Sequence, residues 1–213
     1  MQSSLGLYHR VQPPRTAASP PYSAVVLLHG RGADETDLLG LADALDPHLF
    51  VVSVRAPLSL APGFEWYRLE SIGSAEPVSF RAGLGALQAF IDDLPRVYPI
   101  DPQRIVTLGF SQGAVMAGTL LLTRPAAVAA TVMLSGYLPL DQGLPVDEAA
   151  LAGRPVFVAH GTADPLIPVS WARVVRDYLE RRRTDLTYRE YPIGHAIGPE
   201  ELADVASWIA GRV

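Results

Sequence analysis

The apolar residues of this chain gather in short continuous runs, and between the runs they recur at the three- and four-residue spacing of helices. Several runs are rich in β-branched residues and are typical of strands buried on both faces of a sheet. The predicted strands lie at 5–11, 24–28, 50–54, 104–107, 128–134, 155–159 and 186–191. The helical spacing predicts helices at 38–46, 84–94, 113–123, 171–179 and 200–210, with Pro95 and Pro125 as expected end points or kinks.

Strands that alternate with helices predict the α/β class, with a mostly parallel central sheet covered by helices on both faces. The length of 213 residues suits one compact domain spanning 1–213, in which 1–22 form an N-terminal strand and a connector rich in Pro and Ser. A longer segment at 55–73 contains Pro and Gly and is expected to be irregular. The stretch between 135 and 155 is too short for a helical cap domain, so none is expected.

The composition narrows the classes of partner. Apolar residues make up 49% of the chain and charged residues 18%, which favours a folded globular protein. The net charge of −5 gives no reason to expect nucleic acid as a partner, and no cysteine is available for a disulfide or a thiolate nucleophile. No apolar stretch is long enough for a membrane span, and 1–15 lack the apolar core of a signal peptide. We therefore expect a soluble cytoplasmic protein whose oligomeric state stays open, with a homodimer as one alternative.

The stretch Gly-Phe-Ser-Gln-Gly at 109–113 joins a predicted strand to a predicted helix. This position suits a nucleophile elbow, a strained turn that exposes the hydroxyl of Ser111 at the edge of the sheet. Ser111 could instead cap the helix that follows, with its hydroxyl bonded to a free backbone amide. Because a Gly-x-Ser-x-Gly pattern is short, its context has to decide between these alternatives.

A serine nucleophile needs a base, and the base needs an acidic group that orients it. Asp164 and His195 follow later predicted strands, in the chain order that α/β-hydrolases use. His160 would reverse that order, so it is expected to bond to the backbone beneath the acid loop. Alone, Asp164 could cap a helix that begins near Pro168, and His195 could be a solvated loop residue. Their order and their position after strands favour Ser111, Asp164 and His195 as a catalytic triad.

Acyl transfer also requires hydrogen-bond donors for the oxyanion that develops on the substrate carbonyl. One expected donor is the backbone N–H of Gln112, at the start of the helix after the serine. The other is expected from Arg31, because glycines on both sides let this loop at 29–32 turn an amide inward. The alternatives for the loop are a tight turn, a phosphate cradle, whose pattern is incomplete, and an anion site formed by the Arg31 side chain.

Four stretches together resemble the signature loops of the phospholipase/carboxylesterase family. They are Leu-His-Gly-Arg-Gly at 28–32, Gly-Phe-Ser-Gln-Gly at 109–113, His-Gly-Thr-Ala-Asp at 160–164 and Gly-His at 194–195. This group of compact α/β-hydrolases includes acyl-protein thioesterases and small bacterial carboxylesterases. The resemblance runs from about Val25 to the C-terminus, and it implies a triad of Ser111, Asp164 and His195 with oxyanion donors from Arg31 and Gln112. Acyl-protein thioesterases usually carry leucine at the position of Arg31, a difference expected to alter substrate preference.

Together these features predict a serine hydrolase that cleaves ester or thioester bonds of small-molecule substrates with small to medium acyl groups. No cofactor and no metal are expected to take part. A shallow, open acyl pocket is expected, with core packing as the alternative for each lining residue: Phe64, Trp66, Tyr67, Leu166 and Ile167. A lysophospholipase or an acyl-protein thioesterase is the alternative within the family. A non-catalytic binding protein on the same scaffold is the alternative from a different class.

Overall fold

The computed structural model describes residues 5–212, and its centre is a sheet of seven strands. These are β1 (His9–Gln12), β2 (Tyr22–Leu28), β3 (Phe50–Val54), β4 (Ile100–Phe110), β5 (Ala130–Leu134), β6 (Pro155–Gly161) and β7 (Asp185–Tyr191). The α-helices are α1 (Pro77–Val97), α2 (Gln112–Thr123), α3 (Val169–Arg181) and α4 (Pro199–Ala210). Residues 1–4 and 213 lie outside this description, and none of the predicted site residues is among them.

The strands lie in the order β1-β3-β2-β4-β5-β6-β7. Every neighbouring pair is parallel except β1 with β3, so β1 closes one edge of the sheet as its antiparallel strand. The predicted α/β class with a mostly parallel sheet is confirmed. In such a sheet the carboxyl ends of the parallel strands share one edge, and loops at that edge are the usual place for a functional site.

Alternation along β2 shows how the two faces of the sheet are covered. Val26 and Leu28 pack in the core formed with α1 and α2, whereas Val25 and Leu27 pack with α4 and the stretch around Ala42 on the other face. On the first face the core continues under α3. All four of these β2 side chains are fully buried, which explains why the strand is apolar at every position and not only at alternate ones.

Two predicted helices differ from the observed elements. At 38–46 the chain forms a 3₁₀ helix (Leu39–Asp43) with i→i+3 bonds, although Leu38, Ala42 and Leu45 are buried as the spacing predicted. The stretch is short and Pro47 disfavours helical backbone at Asp46, and short helical pieces commonly form 3₁₀ turns although Leu and Ala favour the α-helix. The prediction for Pro95 was also wrong.

Helix α1 continues through Pro95 to Val97. The proline lies in the last turn, where its missing N–H removes only one hydrogen bond. Leu94 is fully buried, and its carbonyl accepts the N–H of Tyr98. The helical hydrogen bonding therefore continues past the proline. Packing of the buried face therefore outweighs the loss of one backbone bond.

The segment predicted as irregular contains two small antiparallel ribbons. One pairs Leu58–Leu60 with Gly63–Glu65, and the other pairs Leu69–Ser71 with Ser74–Ala75. Between β5 and β6 the described chain contains loop and one short 3₁₀ helix (Glu148–Ala150), in agreement with the expected lack of a cap domain. The second ribbon lies beside the sheet edge where the predicted site residues lie, and Leu69, Ile72 and Gly73 line the cavity there.

Candidate active site

Ser111 occupies the turn between β4 and α2 in a conformation that is unusual for a residue with a side chain. Its φ is 54° and its ψ is −117°, and although it stands at the N-cap position its side chain makes no capping hydrogen bond. Strained backbone of this kind persists only where the surroundings enforce it, and it is the geometry of a nucleophile elbow. The capping alternative is therefore not supported, and the hydroxyl is free to bond elsewhere.

The two glycines of the 109–113 stretch allow the elbow to close. A Cβ on Gly109 would collide with the carbonyl oxygen of Gly113, and a Cβ on Gly113 would collide with the carbonyl oxygen of Leu28 at the end of β2. Glycine is needed at both positions because backbone approaches backbone there. The sequence therefore uses glycine to bring Ser111 next to the loop that follows β2.

The structure brings Ser111, Asp164 and His195 together, although they lie far apart in the chain. His195 Nε2 is 2.9 Å from Ser111 Oγ, and His195 Nδ1 is 2.7 Å from Asp164 Oδ2. A carboxylate only accepts hydrogen bonds, so the Nδ1–H of His195 donates to it and leaves Nε2 to accept the serine hydroxyl. This arrangement can take a proton from the hydroxyl while the resulting imidazolium faces a carboxylate.

The Asp164 side chain is buried, and both of its oxygens are bonded. Oδ1 accepts the backbone N–H groups of Leu166 (2.8 Å) and Ile167 (2.9 Å), while Oδ2 faces His195. Burial opposes ionisation, but the hydrogen bonds from His195 and from these two amides lower the pKa of Asp164 below its ordinary value. The aspartate does not cap α3, which begins after Pro168 without a side-chain cap.

His160 lies beneath the acid loop, as the sequence analysis expected. Its ring is fully buried, and its Nε2–H donates to the carbonyl of Ile167 at 2.8 Å. The same nitrogen is 3.3 Å from Asp164 Oδ2, the oxygen that also accepts the Nδ1–H of His195. His160 thus supports the loop that holds Asp164 and does not reach Ser111.

Arg31 and Gln112 carry the two backbone amides predicted to bind the oxyanion. Both residues line the cavity that contains the serine and His195. Within residues 5–212 neither amide donates a hydrogen bond to a protein group. Gln112 begins α2, where amides are unpaired and the helix dipole favours negative charge.

The Arg31 side chain forms an ion pair with Glu65. Its Nε–H donates to Glu65 Oε2 at 2.8 Å, and the Glu65 side chain is only 7% exposed. The Arg31 side chain is 43% exposed and forms part of the cavity wall. An anion site at Arg31 would therefore have to compete with a carboxylate that is already in place.

The cavity has a volume of about 460 Å³ and is apolar over much of its wall. Of the residues predicted to line it, Tyr67, Leu166 and Ile167 do so. Phe64 and Trp66 do not: Phe64 packs on the Arg55 guanidinium, and Trp66 is fully buried. Only Phe64 lies in a ribbon strand, whereas Trp66 and Tyr67 occupy the bend after it, where the Trp66 indole donates to the carbonyl of His29.

Several further residues line the wall, and of these only Gly30 and Phe110 belong to the motifs at 28–32 and 109–113. They are Gly30, Ala33, Asp37, Leu69, Ile72, Gly73, Phe110 and Tyr137. Tyr137 follows β5, so the rule that placed the other site residues after strands could have found it. Ile72 is 55% exposed at the turn of a ribbon, and no periodic pattern marks it.

Comparison with known proteins now decides the family. The sequence profile of the Phospholipase/Carboxylesterase family matches residues 9–212. The chain belongs to this family. Among its relatives, acyl-protein thioesterase 1 of Yarrowia lipolytica is 28% identical over 97% of this chain and 98% of that protein. Acyl-protein thioesterase 1 of Neurospora crassa is 32% identical over 78% of this chain and 72% of that protein.

Solved structures of two carboxylesterases agree with the fold. The Bacillus cereus carboxylesterase superposes with a TM-score of 0.89 at 27% identity, covering 100% of this chain and 97% of that one. A carboxylesterase from Mesorhizobium loti gives 0.87 at 27% identity, covering 98% and 97%. The predicted α/β-hydrolase fold is confirmed, and the chain is a hydrolase of the esterase and thioesterase type.

Two features bear on other classes of site. Among residues 5–212, no group of three or more His, Cys, Asp or Glu side chains is arranged to hold a metal ion. In the same part of the chain, none of the helices is long and apolar enough to cross a bilayer.

Proposed function

We propose that this chain hydrolyses carboxylic ester or thioester bonds of small to medium acyl substrates through Ser111, His195 and Asp164. The observation that carries the proposal is the continuous pair of hydrogen bonds, 2.9 Å from Ser111 Oγ to His195 Nε2 and 2.7 Å from His195 Nδ1 to Asp164 Oδ2. The distances are within the reach of proton transfer in an unliganded site. Membership of an esterase family supports the same reading.

In the acylation step, Ser111 Oγ attacks the substrate carbonyl carbon and forms a new C–O bond, while His195 Nε2 takes the hydroxyl proton. The bond to the leaving oxygen or sulfur then breaks, and His195 returns the proton to the leaving group. Asp164 stays ionised throughout and keeps the imidazole in the required tautomer. Its lowered pKa suits this role, since it is charged at neutral pH.

The developing oxyanion is bound by the backbone N–H groups of Arg31 and Gln112, which have no protein acceptor in the described chain. Such donors stabilise the transition state more than the ground state, and loss of one typically lowers kcat by about 10²–10³. Water then hydrolyses the acyl-enzyme by the same steps in reverse, with His195 as the base.

The acyl group lies against the apolar part of the cavity wall, with Tyr67, Leu69 and Ile167 on one side. The hydroxyls of Tyr67 and Tyr137 lie 3.3 Å apart, and burial raises the pKa of both, so neither adds charge to the wall at neutral pH. A cavity of about 460 Å³ accommodates a small or medium acyl group together with its leaving group.

A lysophospholipase or an acyl-protein thioesterase is the second candidate within the family. The Yarrowia relative carries the latter name. The charged Arg31 side chain in the wall, which is paired with the buried Glu65, favours a small substrate over a long acyl chain. A binding protein without turnover is disfavoured because binding alone would place no demand on the strained backbone of Ser111.

A substrate panel tests the proposal. The panel contains aryl esters from acetate to palmitate and matched acyl-thioesters. It is assayed with the unmodified chain, with Ser111→Ala and with the control Ser207→Ala, which changes an exposed serine on α4. We expect turnover of short to medium acyl groups, loss of all activity in Ser111→Ala with unchanged circular dichroism, and full activity in Ser207→Ala. Full activity of a folded Ser111→Ala variant on every substrate would contradict the proposal.

A further inference from the structure

The backbone on both sides of Arg31 is bonded to a neighbouring ribbon. We call residues 63–67 the aromatic segment. The N–H of Gly32 donates to the carbonyl of Phe64 at 2.7 Å, and the N–H of Phe64 donates to the carbonyl of Ala33 at 2.8 Å. On the other side of Arg31, the carbonyl of His29 accepts the indole N–H of Trp66 at 3.0 Å. The position of the Arg31 amide therefore depends on where the aromatic segment lies.

The aromatic segment is in turn bonded to the residue that follows the serine. The side-chain Oε1 of Gln112 accepts the backbone N–H of Trp66 at 2.7 Å, and its Nε2–H donates to the carbonyl of Tyr67 at 2.7 Å. The Gln112 side chain thus pairs with two consecutive residues much as a neighbouring strand would. All three residues are buried, with Gln112 4% exposed and the two aromatic residues at most 1%.

We infer that the side chain of Gln112 is a positioning residue that fixes the distance between the two proposed oxyanion donors. The inference rests on the proposed function and extends it to a side chain that touches neither the substrate nor the triad. Through the aromatic segment, the Gln112 amide links the elbow, which carries one donor, to the loop at 29–33, which carries the other.

Glutamine suits this role chemically because its amide supplies one acceptor and one donor in a fixed plane. Glutamate would present a second acceptor to the Tyr67 carbonyl and place a charge in a buried site. Methionine has a similar length but satisfies neither backbone group. Because both bonds are buried, they are stronger than solvent-exposed bonds and hold the aromatic segment in one place.

The test compares Gln112→Met, Trp66→Phe and the double variant. Each keeps the backbone N–H of residue 112, and Trp66→Phe removes the indole donor to His29 while retaining an aromatic ring. The matched control is Gln88→Met, which removes a glutamine bonded to Thr123 at the far end of α2. The readouts are kcat and KM on one aryl ester, the burst of product release, the melting temperature, and the carbonyl stretching frequency of the acyl-enzyme trapped at low pH.

We expect Gln112→Met to lower kcat by about 10- to 100-fold with KM changed less than about threefold, because a small misplacement of one donor weakens transition-state binding. The burst amplitude stays the same, and the carbonyl frequency rises as the donors move away from the oxygen. Trp66→Phe acts in the same direction, and the double variant is little worse than Gln112→Met, since both break one linkage. Gln88→Met changes neither kcat nor the frequency.

Two results overturn the inference. The first is a folded Gln112→Met or Trp66→Phe variant with a lower melting temperature but unchanged kcat and carbonyl frequency, which would make the linkage purely structural. The second is additive effects of the two substitutions on kcat. If Gln112→Met does not fold, the kcat and the carbonyl frequency of Trp66→Phe alone test the inference. The absence of any acyl-enzyme in the unmodified chain would instead overturn the proposed function, and the inference with it.

Discussion

The two sides of the candidate site are built differently. On the serine side, three stretches distant in sequence (29–33, 63–67 and 109–113) meet through backbone bonds, through the side chains of Gln112 and Trp66, and through glycines that let backbone touch backbone. On the acid and histidine side, Asp164 and His195 follow β6 and β7, which are neighbouring parallel strands. There the loops lie nearer solvent, and Leu166 is 51% exposed.

This difference indicates where each side is sensitive to change. The serine side depends on close backbone packing, so a substitution that adds volume should lower stability as well as activity. On the acid side Gly161 also lets backbone approach Gly194 closely, but Asp164 and His195 are joined by a side-chain hydrogen bond. A substitution that alters one polar atom of that pair should therefore lower activity and leave the fold intact. The following predictions test the two sides separately.

The largest effect is expected on the acid side from Asp164→Asn. The asparagine keeps the shape, but it no longer offers a carboxylate to the Nδ1–H of His195, so the imidazole loses its required tautomer and its counter-charge. We expect kcat to fall by about 10⁴ with little change in the free energy of unfolding. Steady-state kinetics and urea denaturation measure the two quantities.

The control for Asp164→Asn is Asp93→Asn, which removes one partner of a surface ion pair with Arg96 on α1. It should leave kcat unchanged, because exposed pairs contribute little. A decrease of less than tenfold in Asp164→Asn would show that the acid side does not depend on this carboxylate.

The next largest effect is expected on the free energy of unfolding when one glycine from each side is replaced by alanine. In Gly113→Ala the new methyl group meets the carbonyl of Leu28, so we expect the free energy of unfolding to fall by at least about 3 kcal/mol. In Gly194→Ala the nearest atom, the carbonyl oxygen of Ala163, lies 3.9 Å from the new Cβ, and we expect a change within about 0.5 kcal/mol. Urea denaturation of both variants tests this, and equal effects would remove the distinction between the two sides.

A smaller effect is expected at Glu201, beside the His195 loop. This glutamate is buried and accepts the N–H of Gly198, but its Oε1 has no partner within the described chain. Burial raises its pKa to about 7 from an ordinary value of 4.5. The folded state therefore loses stability as the pH rises from 4.5 to about 7, because the unfolded chain releases this proton first.

Glu201→Gln removes that penalty. The variant should match the unmodified chain near pH 4 and exceed it in free energy of unfolding by about 1–3 kcal/mol at pH 8. Thermal or urea unfolding at both pH values measures the difference. A difference that is the same at pH 4 and pH 8 would show that the carboxyl does not titrate in this range.

The sequence could predict Ser111, Asp164 and His195 as neighbours because each directly follows a strand, and parallel strands end at one edge. It could not predict that Trp66 faces the core while Tyr67 faces the cavity, because that depends on bonds to Gln112 and His29, far away in the chain. The 3₁₀ helix at Leu39–Asp43 was missed for a different reason. Its buried positions follow helical spacing, which both helix types satisfy over so short a stretch.

Covalent labelling tests the central claim most directly. The unmodified chain is treated with a fluorophosphonate, and intact mass spectrometry with peptide mapping locates the adduct. The account predicts one phosphonyl group per chain, attached to Ser111 Oγ, and much slower labelling of Asp164→Asn. An unlabelled chain, or an adduct on any other residue while Ser111 stays unmodified, would contradict it.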